Sequence, residues 1–203
     1  MCNVLCKTLC FLATICSVVA LCSCVTFSLH PLYEGLDMIE LPGAAGKWQT
    51  EPEENGRQRT IVIEKEKSAN LYKVTVSNSS ASPSGADVFD VVFVKIDGRV
   101  FYDAQQSSTV TNGQEWFPEF FVRPHMIGRI RLEGNTLQHD LLDDDWLKAR
   151  LYSGKIKLSY EITDEKWNDL VLTAPSEDLQ GFAATYANDD QAFGMPDTYH
   201  RVK

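Results

Sequence analysis

The chain has 203 residues, 44% hydrophobic and 10% aromatic, which suits one folded domain with a sizeable core and excludes a disordered chain. Its 28 acidic against 19 basic residues give a formal charge of −9, which disfavours nucleic acid as a partner and repels anionic lipid. All six cysteines (Cys2, Cys6, Cys10, Cys16, Cys22 and Cys24) lie at the N-terminus, so no disulfide framework staples the body of the chain.

The opening reads as a signal peptide. A short start carries Lys7, and an apolar run extends from Leu9 to Leu21, the length of an h-region. Leu21-Cys22-Ser23-Cys24 follows and resembles the lipobox of bacterial lipoproteins. Small side chains stand near the cut, and the Cys24 thiol accepts a diacylglyceryl group. Cys22 is a poorer acceptor, because bulky Leu21 would precede the cut. Cleavage before Cys24 removes Lys7 and makes the mature chain still more acidic. Covalent lipid, diacylglycerol plus an acyl chain such as palmitate, would then hold an acidic protein on a membrane, since each buried methylene contributes about 0.8 kcal/mol. Val25, where an aspartate would signal inner-membrane retention, favours the periplasmic face of an outer membrane. Two alternatives stay open: a retained transmembrane helix over Thr8–Leu29, or a plain cleaved secretory signal.

Residues 25–45 read as a tether broken at His30-Pro31 and Leu41-Pro42-Gly43. Leu32, Tyr33, Leu36, Met38 and Ile39 are too apolar for a free linker, so part of it is expected to pack on the domain. The domain organisation is therefore 1–23 signal peptide, 24–45 lipidated N-terminus and tether, and 46–203 β-rich domain.

From Gly46 the pattern is mostly strand. Gly46-Lys47-Trp48 opens it and resembles the Gly-x-Trp start of lipocalin-like barrels, which implies a Trp that plugs the barrel floor. Thr60–Glu66 carries Ile61, Val62 and Ile63. Leu71–Ser77 alternates Tyr72, Val74 and Val76 with polar residues, a period of two. Ser77–Gly85 is a mobile loop by composition. Val88–Ile96 is apolar on both faces, as in a strand covered on both sides. Asp97-Gly98 is a two-residue hairpin turn into Val100–Ala104.

Phe120–Leu132 shows the clearest alternation. One face carries Phe120, Val122, Pro124, Met126, Gly128, Ile130 and Leu132, with Pro124 at a bulge or edge. The other carries Phe121, Arg123, His125, Ile127, Arg129 and Arg131. A turn at Gly134-Asn135 leads into Thr136–Leu142. Pairing Glu133 with Thr136 puts Leu132 opposite Leu137, Ile130 opposite His139 and Arg129 opposite Asp140. Later strands are expected at Lys155–Thr163 and Asp169–Thr173.

Two short helices complete the set. Asp143 caps the first, with Asp144 and Asp145 at its positive end and Trp146, Leu147, Arg150 and Leu151 following. Ser176 is expected to cap the second, whose apolar stripe is Leu179, Phe182, Ala183 and Tyr186. The whole is a mainly β protein: a single antiparallel β-barrel or sandwich, lipocalin-like in outline, with two short helices.

Several segments together resemble a group of small uncharacterised bacterial lipoproteins: Cys24, Pro31-Leu32-Tyr33, Gly46-Lys47-Trp48, Leu141-Leu142-Asp143-Asp144-Asp145-Trp146-Leu147, and Leu170-Val171-Leu172-Thr173-Ala174 leading to Leu179-Gln180. The resemblance implies export and lipidation and carries no activity with it.

No nucleophile elbow, phosphate loop, zinc helix or paired-cysteine site is present, so nothing points to an enzyme or a cofactor. Asp140, Asp143, Asp144 and Asp145 lack the spread ligand spacing of a calcium loop, and helix capping accounts for them better than a metal. Arg123, His125, Arg129 and Arg131, with Asp140, form a polar face that could hold a carboxylate or phosphate. The simpler expectation is a solvated face with cross-strand ion pairs. His139, on the apolar face, reads as a satisfied core histidine. The expected role is a non-catalytic envelope lipoprotein that meets another envelope protein. The alternative is a lipocalin-like carrier of a small apolar or amphipathic ligand.

Overall fold

The computed structural model describes residues 25–35, 37–67, 70–78, 86–107, 122–166 and 169–202. The expected signal peptide, Cys24, Leu36, Phe120, Phe121 and most of the Ser77–Gly85 loop lie outside the described residues. In chain order the strands are β1 (Phe27–Ser28), β2 (Met38–Ile39), β3 (Gly46–Gln49), β4 (Arg59–Lys65), β5 (Leu71–Asn78), β6 (Asp87–Ile96), β7 (Arg99–Gln106), β8 (His125–Glu133) and β9 (Thr136–Leu141). Helix α1 (Asp144–Tyr152), β10 (Tyr160–Asp164), β11 (Asp169–Leu172), α2 (Ser176–Tyr186) and β12 (Asp197–Arg201) follow.

Eight of these strands close on themselves. β3 to β9 run up and down as sequential antiparallel neighbours, and β12 slots between β9 and β3 to seal the barrel. Two turns set the register. Asp97 (φ 48) and Gly98 (φ 77) form the two-residue turn between β6 and β7, as their residue types demand. Gly134 supplies the positive φ of the next hairpin, and Leu132–Leu137, Ile130–His139 and Arg129–Asp140 pair as the turn position requires.

The period of two sorts the side chains into two cores. Inside the barrel sit Trp48, Ile61, Ile63, Tyr72, Val91, Phe93, Ala104, Leu137 and Tyr199. Part of the outer face of β6 to β9 is buried as well, under α1, α2 and the N-terminal segment. Val94, Phe101, Ile127 and Leu142 pack there with Leu147, Leu172, Leu179 and Phe193. This explains why β6 is apolar on both faces: Val91 and Phe93 point inward, and Val92 and Val94 outward.

Part of the segment between Val25 and Ala45 packs on the domain, as expected. Leu32 is fully buried, and its N–H donates to Asp103 Oδ2 at 2.7 Å. β2 pairs with β6. β1 lies between β8 and β11, occupying the edge of β8 that β9 leaves free.

Three local expectations need correction. The strand expected from Lys155 starts only at Tyr160, because Ile156 and Leu158 are buried in the outer core before the chain reaches β11. The expected strand from Phe120 is regular only from His125, after Pro124, which has no N–H to give a ladder. Ser176 does not cap α2: Pro175 is the N-cap, in an extended conformation, and its carbonyl accepts from Leu179 N at 3.1 Å. Asp143 does cap α1, accepting from Trp146 N at 2.7 Å.

Candidate functional site

The five residues of the expected polar face lie on the outer side of the barrel and only partly converge: Arg129, Arg131 and Asp140 line one surface pocket of about 210 Å³, and Arg123 and His125 lie apart from it. Arg123 is exposed and donates to Gln106 O at 3.3 Å. Arg131 is also exposed and reaches Gln138 Oε1 at 3.4 Å. His125 is buried, with Nδ1 2.6 Å from Asp103 Oδ1, so it braces the carboxylate that holds Leu32.

Arg129 and Asp140 are both 8% exposed, which corrects the expectation of a solvated face. Arg129 bonds both Asp140 oxygens, at 3.1 and 2.8 Å, and donates to Ala187 O just past α2. Its guanidinium lies 4.3 Å from the Phe193 ring centroid. Burial opposes the Arg129 charge, and the Asp140 hydrogen bonds and charge outweigh it, so its pKa stays above its ordinary value. The physical reason for the burial is the 176–193 segment, which folds over this strand face. The remaining aspartates of the cluster also have local roles. Asp144, itself buried, lies 2.5 Å from Lys148 Nζ and accepts from Thr26 Oγ1 at 3.0 Å. Among the described residues no group of three or more His, Cys, Asp or Glu is placed to hold a metal ion.

The concave site lies inside the barrel. The inward side chains of β4 to β9 and β12 line a half-open cavity of about 290 Å³. Its walls are mostly apolar, with Ile61, Val74, Val91, Phe93, Met126 and Ile130 among them. Gly128 is required in this wall: a Cβ there would stand 2.5 Å from both the Tyr102 hydroxyl and the Asp140 carbonyl oxygen. The missing side chain leaves the space that the Tyr102 ring fills. At the end where β5, β7 and β9 finish and β4, β6, β8 and β12 begin, Arg59, Val76, Phe89, Met126, Leu141 and Asp197 stay partly exposed. The opposite end is shut by Trp48, Ala44, Tyr72 and Phe93, all buried.

A few polar groups converge on this cavity. Arg59 and Asp197 form a two-pronged ion pair, at 2.6 and 2.5 Å, with each side chain more than a third exposed at the open end. His139 Nε2 lies 4.0 Å from Asp197 Oδ2, and its Nδ1 lies 3.3 Å from the Tyr102 hydroxyl. The imidazole stacks on Tyr199, with ring centroids 5.6 Å apart. Burial lowers the His139 pKa, and the Asp197 carboxylate opposes that shift without cancelling it. Burial raises the phenols of Tyr102 and Tyr199. Near neutral pH the cavity therefore presents hydroxyl and imidazole hydrogen-bonding groups and one internally neutralised ion pair, with no net charge.

A pH dependence of stability follows from His139. Its folded pKa lies below the ordinary 6.5. Below that value the unfolded chain takes up a proton that the folded imidazole refuses, so this contribution is whole above pH 6.5 and falls as the pH drops toward the folded pKa. Urea unfolding between about pH 7 and pH 5 should show a steeper acid loss for the native chain than for His139→Gln. Parallel slopes would contradict the assignment.

Sequence reasoning placed His139 on the inward face but did not bring Arg59, Tyr102, Asp197 and Tyr199 to it. Arg59 was detectable from its phase, two residues before Ile61 and four before Ile63. Asp197 and Tyr199 lie on β12, whose polar alternation gives no strand signal by hydrophobicity. No known protein family, characterised protein or solved structure matches the chain.

Proposed function

We propose that the domain is a carrier, which takes a small apolar or weakly polar amphipathic ligand into the barrel. The observation that carries this reading is the cavity of about 290 Å³, apolar in its walls with a few convergent hydrogen-bonding groups. Eight-stranded barrels have an interior that side chains can fill or that can hold one small ligand, and an up-and-down barrel of this size is compatible with a lipocalin-like carrier. At about 30 Å³ per water-sized group, the space suits roughly ten heavy atoms. The protein-interaction reading, first in order from sequence alone, takes second place to it.

The lining sets the ligand's charge. Arg59 is already satisfied by Asp197, so an anionic headgroup must displace that carboxylate or enter unpaired. A neutral headgroup need only meet Tyr102, His139 or Tyr199. Decanol should therefore raise the melting temperature in a saturable manner, and decanoate should bind at least about tenfold more weakly, a difference of about 1.4 kcal/mol. Ala104→Phe, which puts a ring into the cavity wall, should abolish the decanol response while the barrel still melts cooperatively. A native chain that decanol leaves unshifted would sink the carrier reading.

We also propose that the chain is an exported bacterial lipoprotein, held through diacylglycerol and palmitate on Cys24 at the periplasmic face of an outer membrane. The lipobox-like Leu21-Cys22-Ser23-Cys24 supports this. Cys24→Ser should abolish incorporation of labelled palmitate and leave uncleaved precursor. Undiminished labelling, or labelling that follows Cys22, would refute it.

A further inference from the structure

We propose that the face built from β1 and the start of β8 rests on the surface of the bilayer that anchors the chain, and that the cavity opens toward that bilayer. The inference rests on the anchor reading and adds an orientation to it.

Three observations carry it. First, the chain has almost no free length beyond residue 24. Val25 bridges to Asp143, Thr26 is buried with its hydroxyl on Asp144, and Phe27 and Ser28 are paired on both sides, with β8 and with β11. An extended residue spans at most about 3.6 Å, so the three residues from Cys24 to Phe27 hold β1 within about 11 Å of a membrane attachment at Cys24. A domain on so short a link must touch the bilayer with the surface around that link.

Second, that surface is apolar where a solvated one would be polar. Phe27 is 38% exposed, Leu29 40% and Val122 69%. With Val25, Pro124 and Val171 they line a shallow groove of about 490 Å³, whose edge also carries Thr163, Asp169 and the Asp144–Lys148 ion pair. The acidic chain repels anionic lipid, so the contact is one of apolar side chains with the headgroup and acyl boundary.

Third, β1 joins the barrel at its open end. Phe27 pairs with Met126, which lines the cavity. β8 begins at this end, as do β4 with Arg59 and β12 with Asp197. The shut end, at Trp48 and the Gly134-Asn135 turn, lies at the far side of the barrel. A lipid-like ligand then passes between bilayer and cavity with a short path through water.

The test uses the full mature chain carrying its anchor, reconstituted in phosphatidylcholine vesicles. With the Cys24 thiol consumed by its diacylglyceryl thioether, a cysteine placed elsewhere is the only free thiol. Leu29→Cys, Val122→Cys and, at the far end, Asn135→Cys are each labelled with an environment-sensitive fluorophore. Circular dichroism confirms that each variant is folded. On moving to vesicles of brominated phosphatidylcholine, the labels at 29 and 122 should lose more than half their emission, and the label at 135 should lose almost none. Added anionic lipid should not strengthen the effect. Protein that floats with the vesicles while 29 and 122 stay bright overturns the orientation and leaves the anchor standing. Equal quenching at 135 also overturns it. Concentration-dependent self-quenching without vesicles would assign the face to a second copy and overturn the proposal. Protein that does not float at all overturns anchor and orientation together.

Discussion

Asp140→Asn should destabilise the protein by about 3–5 kcal/mol, measured as a fall in the urea midpoint at unchanged slope. The substitution removes little volume. Its cost comes from Arg129, which stays buried with its charge and loses the carboxylate that both prongs of its guanidinium meet. Asp190, 89% exposed, offers a weaker acceptor at 3.2 Å and cannot replace it. The single substitution and the pair should behave differently. Replacing both partners with apolar residues of similar volume, Arg129→Met with Asp140→Leu, removes the uncompensated charge and should recover most of the loss. A loss below about 1 kcal/mol for Asp140→Asn would mean that the pair is solvated and that the 176–193 segment does not cover it.

Trp48→Ala should cost about 3–5 kcal/mol, the range for truncating a large core aromatic. Trp48 is fully buried at the shut end, its indole N–H donating to Ala44 O at 2.8 Å. Arg201 lies over the ring at 4.1 Å and bonds the carbonyl oxygens of Gly43 and Ala45. The truncation therefore opens a void and also leaves the C-terminal strand's guanidinium without its aromatic face. Arg201→Ala should reproduce a smaller part of the loss, and the double substitution should cost less than the sum of the two. A Trp48→Ala loss under about 1 kcal/mol would show that the barrel end does not depend on this ring.

The β8–β9 register was legible in the sequence because a two-residue turn and a period of two leave one consistent pairing. Its burial was not. Whether Arg129 meets water depends on Ala187, Asp190 and Phe193, which are almost sixty residues or more away in sequence. Alternation of polar and apolar residues identifies the two faces of a strand, but the outer face here is covered by elements that no local pattern links to it. The strand β6 did carry such a signal, because both of its faces are apolar. β1 and β2 are two residues each and fall below any periodic window. β12 reads Asp-Thr-Tyr-His-Arg, and its inward set includes two charges, so hydrophobicity does not mark it. Those charges serve the two ends of the barrel: Asp197 pairs Arg59 at the opening, and Arg201 covers Trp48 at the floor. The candidate site was thus half legible. The apolar walls show in the strand pattern, while Asp197 and Tyr199 come from a strand that looks like coil.

The position of β12 also sets the order of assembly. The strand that seals the barrel is the last of the described strands, and it must reach β3, some hundred and fifty residues earlier. Until it arrives, β3 and β9 both present bare edges, and pairing across so long a loop is slow. The barrel therefore cannot close until β12 has been made. A product that stops a few residues short of Asp197 should keep both edges open and aggregate, rather than fold into a slightly shorter version of the same domain.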